Sequence, residues 1–214
     1  MTDGSNSRRI DHRIELAATL LLALAAVGTA WSTYQSARWH GKQAKAQSAS
    51  IAARVESTRQ ANVANRQGQI DVALFTQWVD AYARDQTELA AFYRKRFRPE
   101  FVPAFNAWVA TKPRKNPNAP LSPFAMPQYK LATAAKADRL EAQAGSFSKV
   151  VGRNIQRADN YSLAVVLFAL SLFFAAISTR LHGPGPRMAI LGLGYVLLLG
   201  TAIWLATLPV SIGV

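Results

Sequence analysis

The sequence contains no cysteine among its 214 residues and only three histidines. The absence of cysteine excludes disulfide bonds, thiolate metal ligands, a cysteine nucleophile and S-palmitoylation. His12, His40 and His182 stand far apart in the chain and leave little material for a metal site. The sequence also lacks a glycine-rich phosphate loop, a zinc-ligand spacing and a serine–histidine–aspartate arrangement. We therefore predict a protein that is not an enzyme and that has no catalytic residues, no cofactor and no metal.

Acidic residues are scarce as well. The chain has 12 Asp and Glu against 25 Lys and Arg, although half of its residues are apolar. Three windows, 16–37, 160–179 and 188–214, carry no charged residue. The hydrocarbon core of a bilayer requires about 20 apolar residues of helix, and only helices and closed barrels satisfy their own backbone there. Because alternating strand patterns are absent, we predict three transmembrane helices.

The predicted fold is all-α, with a helical-bundle domain of long antiparallel helices inserted between the first and second of three transmembrane helices. The predicted parts, in chain order, are a polar N-terminal tail (1–13), transmembrane helix 1 (14–37), a helical soluble domain (38–159) with a proline-rich loop (113–127), transmembrane helix 2 (160–179), a hairpin (180–187), transmembrane helix 3 (188–208) and a C-terminal tail (209–214). Glycine and proline break the helix in the hairpin, and Arg180 and Arg187 flank it.

The first apolar window has a second interpretation. The small residues Gly28, Thr29 and Ala30 after an apolar run resemble the cleavage site of a signal peptide. However, the helical apolar stripe continues past Ala30 through Trp31 and Tyr34. We therefore favour an uncleaved span.

Orientation in the membrane follows from Lys and Arg in short segments. The N-terminal tail has three arginines and the hairpin has two, whereas the C-terminal tail has none. This bias predicts a cytoplasmic N-terminus and places the 38–159 domain outside. Basic residues that flank the membrane on the domain side, such as Arg38 and Arg157, favour the opposite orientation, which therefore stays open.

Helical periodicity divides the soluble domain into three segments of similar length, 38–66, 69–97 and 128–159. Helices of matched length pack as an up-down bundle, which requires a turn near Gly68. A single glycine is a weak helix breaker, so the alternative is one helix that runs from the membrane to residue 97.

The third segment has apolar residues at alternating steps of three and four, and this repeat passes without interruption into the second span. Such a repeat is typical of a coiled coil. We predict one continuous helix over 128–179, which either anchors the domain or transmits its movement to the membrane.

A basic run follows the second segment. Arg94, Lys95, Arg96 and Arg98 are candidates for contact with anionic lipid, at about 1 kcal/mol per charge near the surface. Two other interpretations are a solvated helix end and nucleic-acid binding. Nucleic acid is the partner that we least favour, because it requires a domain that faces the cytoplasm.

The proline-rich loop 113–127 has five prolines, so we expect it to be extended and stiff. Its apolar residues Leu121, Phe124 and Met126 need a surface to lie on. The loop is either a strap packed against the helices or a docking loop for another protein.

Three segments resemble signatures of a family of uncharacterised bacterial inner-membrane proteins that contain a domain of unknown function. They are AWSTYQSARW (30–39), FRPEFVPAFNAW (97–108) and PLSPFAMPQY (120–129). The resemblance implies one span, a helical insert, two C-terminal spans and an inner-membrane location. It implies no activity, cofactor or site residue.

The sequence predicts a multi-pass membrane protein that acts as a non-catalytic interaction or scaffold protein. Its expected partners are the lipid bilayer and either further copies of itself, in a homo-oligomer, or another membrane protein. The alternative is a sensor-like or channel-like oligomer that couples the helical domain to the membrane.

Overall fold

The computed structural model describes the backbone of residues 3–212 and the side chains of residues 12–212. Within this part of the chain the regular elements are helices, with no strand, so the prediction of an all-α protein is confirmed. The elements are α1 (Asp3–Ala83), α2 (Thr87–Arg94), α3 (Val102–Ala110), a short 3₁₀ helix (Pro123–Ala125), α4 (Ala132–Ser178) and α5 (Pro184–Ala206).

Three of these helices, α1, α4 and α5, are long and apolar enough to cross a lipid bilayer. The predicted spans 14–37, 160–179 and 188–208 overlap these helices in that order, and the second and third spans end one and two residues beyond α4 and α5. At most 33% of the residues in their most apolar windows are buried within the protein. The remaining apolar surface needs lipid or a partner to cover it, because apolar area exposed to water is unfavourable.

The predicted turn near Gly68 is wrong, because α1 continues as a helix through this residue to Ala83. A glycine in a helix interior costs only about 1 kcal/mol relative to alanine, and good helix formers surround Gly68. The alternative prediction, one helix from the membrane to residue 97, is also wrong, because α1 ends at Ala83. The chain turns at Asp85, whose φ of 57° is left-handed, a conformation that aspartate tolerates better than most residues. The segment 69–97 is thus split between α1 and α2.

The predicted continuity of the third segment into the second apolar window is confirmed. α4 is a single helix of 47 residues, although it begins at Ala132, four residues later than predicted. Its 3–4 repeat meets no proline between these bounds. Coiled-coil packing along α4 stays a prediction.

The chain forms two compact units. The first unit combines α1 up to Ser48 with the residues from Ser148 onward, and therefore contains the three apolar windows. Four of the nine buried residues in its main core cluster are alanines, which let the helices approach closely at those positions. The buried core residues are Ile14, Ala18, Leu21, Ala25, Ala164, Phe168, Ala175, Leu191 and Leu198.

Polar side chains connect the helices of the first unit. Tyr195 Oη donates a hydrogen bond to the Ala17 carbonyl at 2.8 Å, and the hydroxyls of Ser36 and Ser162 lie 3.0 Å apart. Such bonds between apolar helices satisfy groups that the hydrocarbon region would leave unpaired.

The second unit comprises Ala49–Phe147. Where α1 and α4 run beside each other, Ser57 Oγ donates to the Ala137 carbonyl at 2.8 Å. A side chain on α1 can reach the backbone of α4 only where small residues let the two helices approach closely. The alanine-rich sequence supplies such residues on both helices. The other end of the unit is an aromatic cluster that involves α1, α2, α3 and the proline-rich loop.

Gly28 provides the first test of this packing. A methyl carbon on its Cα would lie 2.7 Å from Phe168 Cζ, and Phe168 is buried in the core of the first unit. We expect Gly28→Ala to destabilise the protein by about 1–3 kcal/mol, the usual cost of an overpacked core. The measurement is thermal unfolding of the full chain in detergent.

Gly192→Ala is the matched control, because a methyl carbon at Gly192 would meet no atom of a neighbouring helix within 4 Å. We expect its melting temperature to stay at or slightly above the wild-type value, because alanine is favoured over glycine in a helix interior. Equal effects of the two substitutions would contradict the packing of Gly28 on Phe168.

Candidate binding groove

The aromatic cluster is built from two sequence segments that meet on α1. Phe75 and Trp78 lie on one stripe of α1. Phe101, just before α3, and Phe105 and Trp108 of α3 pack against them. The rings meet mostly edge to face. Phe75 and Phe101 are 6.2 Å apart between ring centroids, and Trp78 and Phe105 are 4.8 Å apart. Aromatic pairs in this arrangement add about 0.5–1.5 kcal/mol beyond the area that they bury.

A buried ion pair fixes the segment that enters α3. Asp71 of α1 is fully buried, and its Oδ2 lies 3.0 Å from Arg98 Nη1. Tyr129 Oη donates a hydrogen bond of 3.2 Å to the same oxygen, and Glu100 lies 3.0 Å from Arg98 Nη2. These contacts join residues that are far apart in the sequence, so they fix the path of the chain around the aromatic cluster.

Burial raises the pKa of Asp71 above its ordinary value. The positive charge of Arg98 and the hydrogen bond from Tyr129 act in the opposite direction, but the loss of water around the carboxylate outweighs them. Burial also raises the pKa of Tyr129 to about 12, and the negative charge of Asp71 adds to this shift. Tyr129 therefore keeps its proton at neutral pH and remains a donor to Asp71.

A groove of about 1200 Å³ lies beside this cluster, between the end of α1, α3 and the first half of the proline-rich loop. Trp108 holds the loop in place, because its Nε1–H donates to the Pro120 carbonyl at 2.7 Å. The residues that line the groove are Trp78, Val79, Tyr82, Ala83, Arg94, Phe105, Asn106, Trp108, Val109, Lys112, Pro113, Arg114, Lys115, Asn116, Pro117, Ala119, Pro120 and Leu121.

The groove combines an apolar floor with a basic rim. Arg94, Lys112, Arg114 and Lys115 line it, no acidic residue does, and within the described side chains these four form no ion pair. Four adjacent cations without counter-charges create a positive potential that attracts an anionic partner. The groove is therefore suited to bind a group that is both acidic and apolar.

The exposed ring of Tyr82 shows how the rim and the floor meet. One face of the ring stacks on Trp78, with centroids 4.9 Å apart, and the guanidinium of Arg114 lies 5.3 Å from its centroid. Cation–π contact holds the Arg114 side chain against the groove. Trp78 and Arg114 therefore cover part of the Tyr82 ring, and 45% of this residue stays exposed.

The basic residues singled out for lipid contact have different surroundings. Arg98 is largely buried in the ion pairs with Asp71 and Glu100. Arg94 donates to Asn106 Oδ1 at 3.3 Å, and the Arg96 guanidinium lies 3.3 Å from the centroid of Phe92. Lys95 is exposed.

Contact of these four residues with anionic lipid requires them to lie near the membrane surface. A turn near Gly68 would return the chain towards that surface, and α1 has no such turn. Lipid contact nevertheless stays a prediction. The residue among them that the structure brings to the groove is Arg94.

The proline-rich loop is a packed strap over part of its length. Phe124 stacks on Phe101 with centroids 5.2 Å apart, and Met126 packs against the same aromatic cluster. Leu121 is 99% exposed at the edge of the groove. Of the three residues predicted to form a docking loop, Leu121 is the one presented to a partner, and docking itself stays a prediction.

Neither the groove nor the buried ion pair was predicted from the sequence. Asp71 lies on the same helical stripe as Leu74, Phe75 and Trp78, and an acidic residue on an apolar stripe is a signal for a buried pair. No comparable local signal exists for the groove, because its cations come from α2 and from the residues that follow α3. Among the described residues, no group of three His, Asp or Glu side chains could hold a metal ion.

Comparison with family models, with curated proteins and with solved structures gives no match for this chain. The resemblance of three segments to bacterial inner-membrane proteins therefore stays a prediction.

Asp71 provides a test of the buried pair. A carboxyl whose folded-state pKa is raised favours the folded protein most below its unfolded pKa of about 3.8, and this contribution is lost as the pH rises through the folded-state pKa. Asp71→Asn removes the titration. We therefore expect the free energy of unfolding of the wild type, relative to Asp71→Asn, to decrease as the pH rises from below 3.8.

Chemical unfolding of the full chain in detergent at a series of pH values measures this difference. A difference that increases with pH would show that Arg98 dominates over burial and would contradict the account.

Proposed function

We propose that this chain is a multi-pass membrane protein that acts as a non-catalytic interaction or scaffold protein. A helical domain at 38–159 is inserted between its first and second spans. The observation that supports this function best is the groove of the second unit. It has an apolar floor, a rim of unpaired cations and the fully exposed Leu121 at its edge. These are features of a surface that binds a partner, and none of them supplies an acid, a base or a nucleophile with a neighbour that would activate it.

The proposed location is the bacterial inner membrane, with the N-terminus in the cytoplasm. The three long apolar helices support a membrane location. The arginines of the N-terminal tail and of the hairpin support the orientation through the positive-inside rule. The resemblance of the three segments supports the bacterial inner membrane.

A sensor-like or channel-like oligomer is the second candidate function. The observation that favours it is the continuity of α4, because one unbroken helix belongs to both compact units. A helix of this kind transmits a rotation or a shift along its length. Ion flux from purified protein in liposomes would support this alternative over the first.

Photo-crosslinking in intact cells tests the interaction function. Benzoylphenylalanine replaces Leu121 at the groove, and a second variant carries it at Val55, an exposed apolar position of the same unit outside the groove. We expect a discrete crosslinked product from position 121 and not from position 55. We also expect Arg114→Glu with Lys115→Glu to reduce the yield by roughly tenfold, because reversed charges repel an acidic partner.

Lys95→Glu with Lys130→Glu is the control for charge, since both lysines are exposed and neither lines the groove. The control should give the wild-type yield. Identical products from positions 121 and 55, or equal loss in the control, would show that the groove is not the interaction surface.

A further inference from the structure

The second unit also carries a surface with the opposite charge to the groove. Asp85 lies in the turn after α1, and Glu88 lies in the first turn of α2. Beside them, Leu89 and Phe92 are 40% and 46% exposed. These residues line one shallow surface together with Gln86 and Thr87. The chain thus presents an acidic, apolar turn as well as a basic, apolar groove.

The acidic residues of this turn are not neutralised within the described side chains. Neither Asp85 nor Glu88 takes part in an ion pair. Nearby Arg84 is already paired with Asp80 at 3.0 Å, and Arg96 lies over the ring of Phe92. Within one molecule, neither charged surface is neutralised by the other. Each combines apolar side chains with a charge opposite to that of the other surface.

We propose that the groove receives the α1–α2 turn of a second copy of this chain. In this arrangement Asp85 and Glu88 pair with the cations of the groove rim, and Leu89 lies on its apolar floor. The inference rests on the proposed function, because it identifies the partner of the same groove. Each copy supplies residues that complete the site of the other.

The positions of the two surfaces suit a closed dimer. Tyr82 and Ala83 at the end of α1 line the groove, and the turn follows them directly in the chain. Because groove and turn are adjacent, a two-fold axis between two copies can place each turn in the opposite groove. Such an interface satisfies both copies at once and does not propagate into a filament.

The membrane favours a second copy as the partner, because anchorage in one membrane raises the effective concentration of the two copies. A small interface is then sufficient for association.

Disulfide trapping tests the contact, and the chain suits it because it has no native cysteine. One tagged copy carries Leu121→Cys, and a differently tagged copy carries Leu89→Cys. Both are full-length and are expressed in the same membrane. We expect mild oxidation to give a heterodimer between these two copies. Val55→Cys replaces Leu121→Cys in the control and should give none.

Charge exchange tests whether the cations and the acids recognise each other. Variant A is Arg114→Glu with Lys115→Glu, and variant B is Asp85→Asn with Glu88→Lys. Asparagine is used at position 85 because it tolerates the left-handed φ of 57°. Within the trapping pair, we expect A alone and B alone each to reduce the disulfide yield by roughly tenfold, since like charges then meet or attraction is lost.

Combining A in the copy with Leu121→Cys and B in the copy with Leu89→Cys should restore the yield, because the reversed charges again attract. These substitutions are at exposed positions, so unchanged thermal melting serves to show that each variant folds. The second-copy proposal would be overturned if the combination of A and B did not restore the disulfide yield. It would also be overturned if neither variant alone lowered that yield. If position 121 still crosslinks in a charge-dependent way to a different protein, the interaction function stands and the second copy is wrong.

Discussion

Inside a hydrocarbon layer, each backbone amide must find its hydrogen-bond partner within the protein, and this constraint determines most of the structure. The apolar parts of α1, α4 and α5 meet it as continuous helices. Polar side chains in the same stretches follow the same rule. Thr29 and Ser171 donate to carbonyls one helical turn earlier, at 2.8 and 3.1 Å. The chain changes direction between α4 and α5 at Gly183, whose φ of 89° suits glycine.

In the second unit, the arrangement of the chain depends on aromatic packing and on one buried ion pair rather than on the bilayer. The cluster around Phe101 and Phe105 holds α3 and the strap against α1, and the pair of Asp71 with Arg98 fixes the entry to α3. A buried pair adds little net stability, but breaking it is expensive, so its effect is to select one path for the chain. That path brings the separate cations of the groove to one rim.

The sequence predicted the features that depend on long, uniform patterns. Apolar windows identify the three candidate spans from composition, and the unbroken repeat in 128–179 predicts one helix. The predicted turn at Gly68 was wrong because equal segment lengths do not by themselves end a helix. A single glycine also costs too little free energy to end one. The true turn depends on the left-handed Asp85 and on the packing of α2, which local periodicity does not contain.

The site was predictable only in part. Leu121, Phe124 and Met126 were recognised as apolar residues that need a surface, but their different burial depends on the aromatic cluster. Asp71 and Arg98 are 27 residues apart, and the groove cations come from elements that meet only in the folded unit. Contacts between distant segments depend on how the folded elements pack. A single sequence shows which residues are present but not which of them come together.

Alkaline carbonate extraction of membranes that contain the full chain tests the central claim most directly. The claim is that lipid surrounds the three apolar helices. The account predicts that the protein stays with the lipid pellet and leaves it only in detergent. Release into the aqueous supernatant, as a monomer that is stable without detergent, would contradict it.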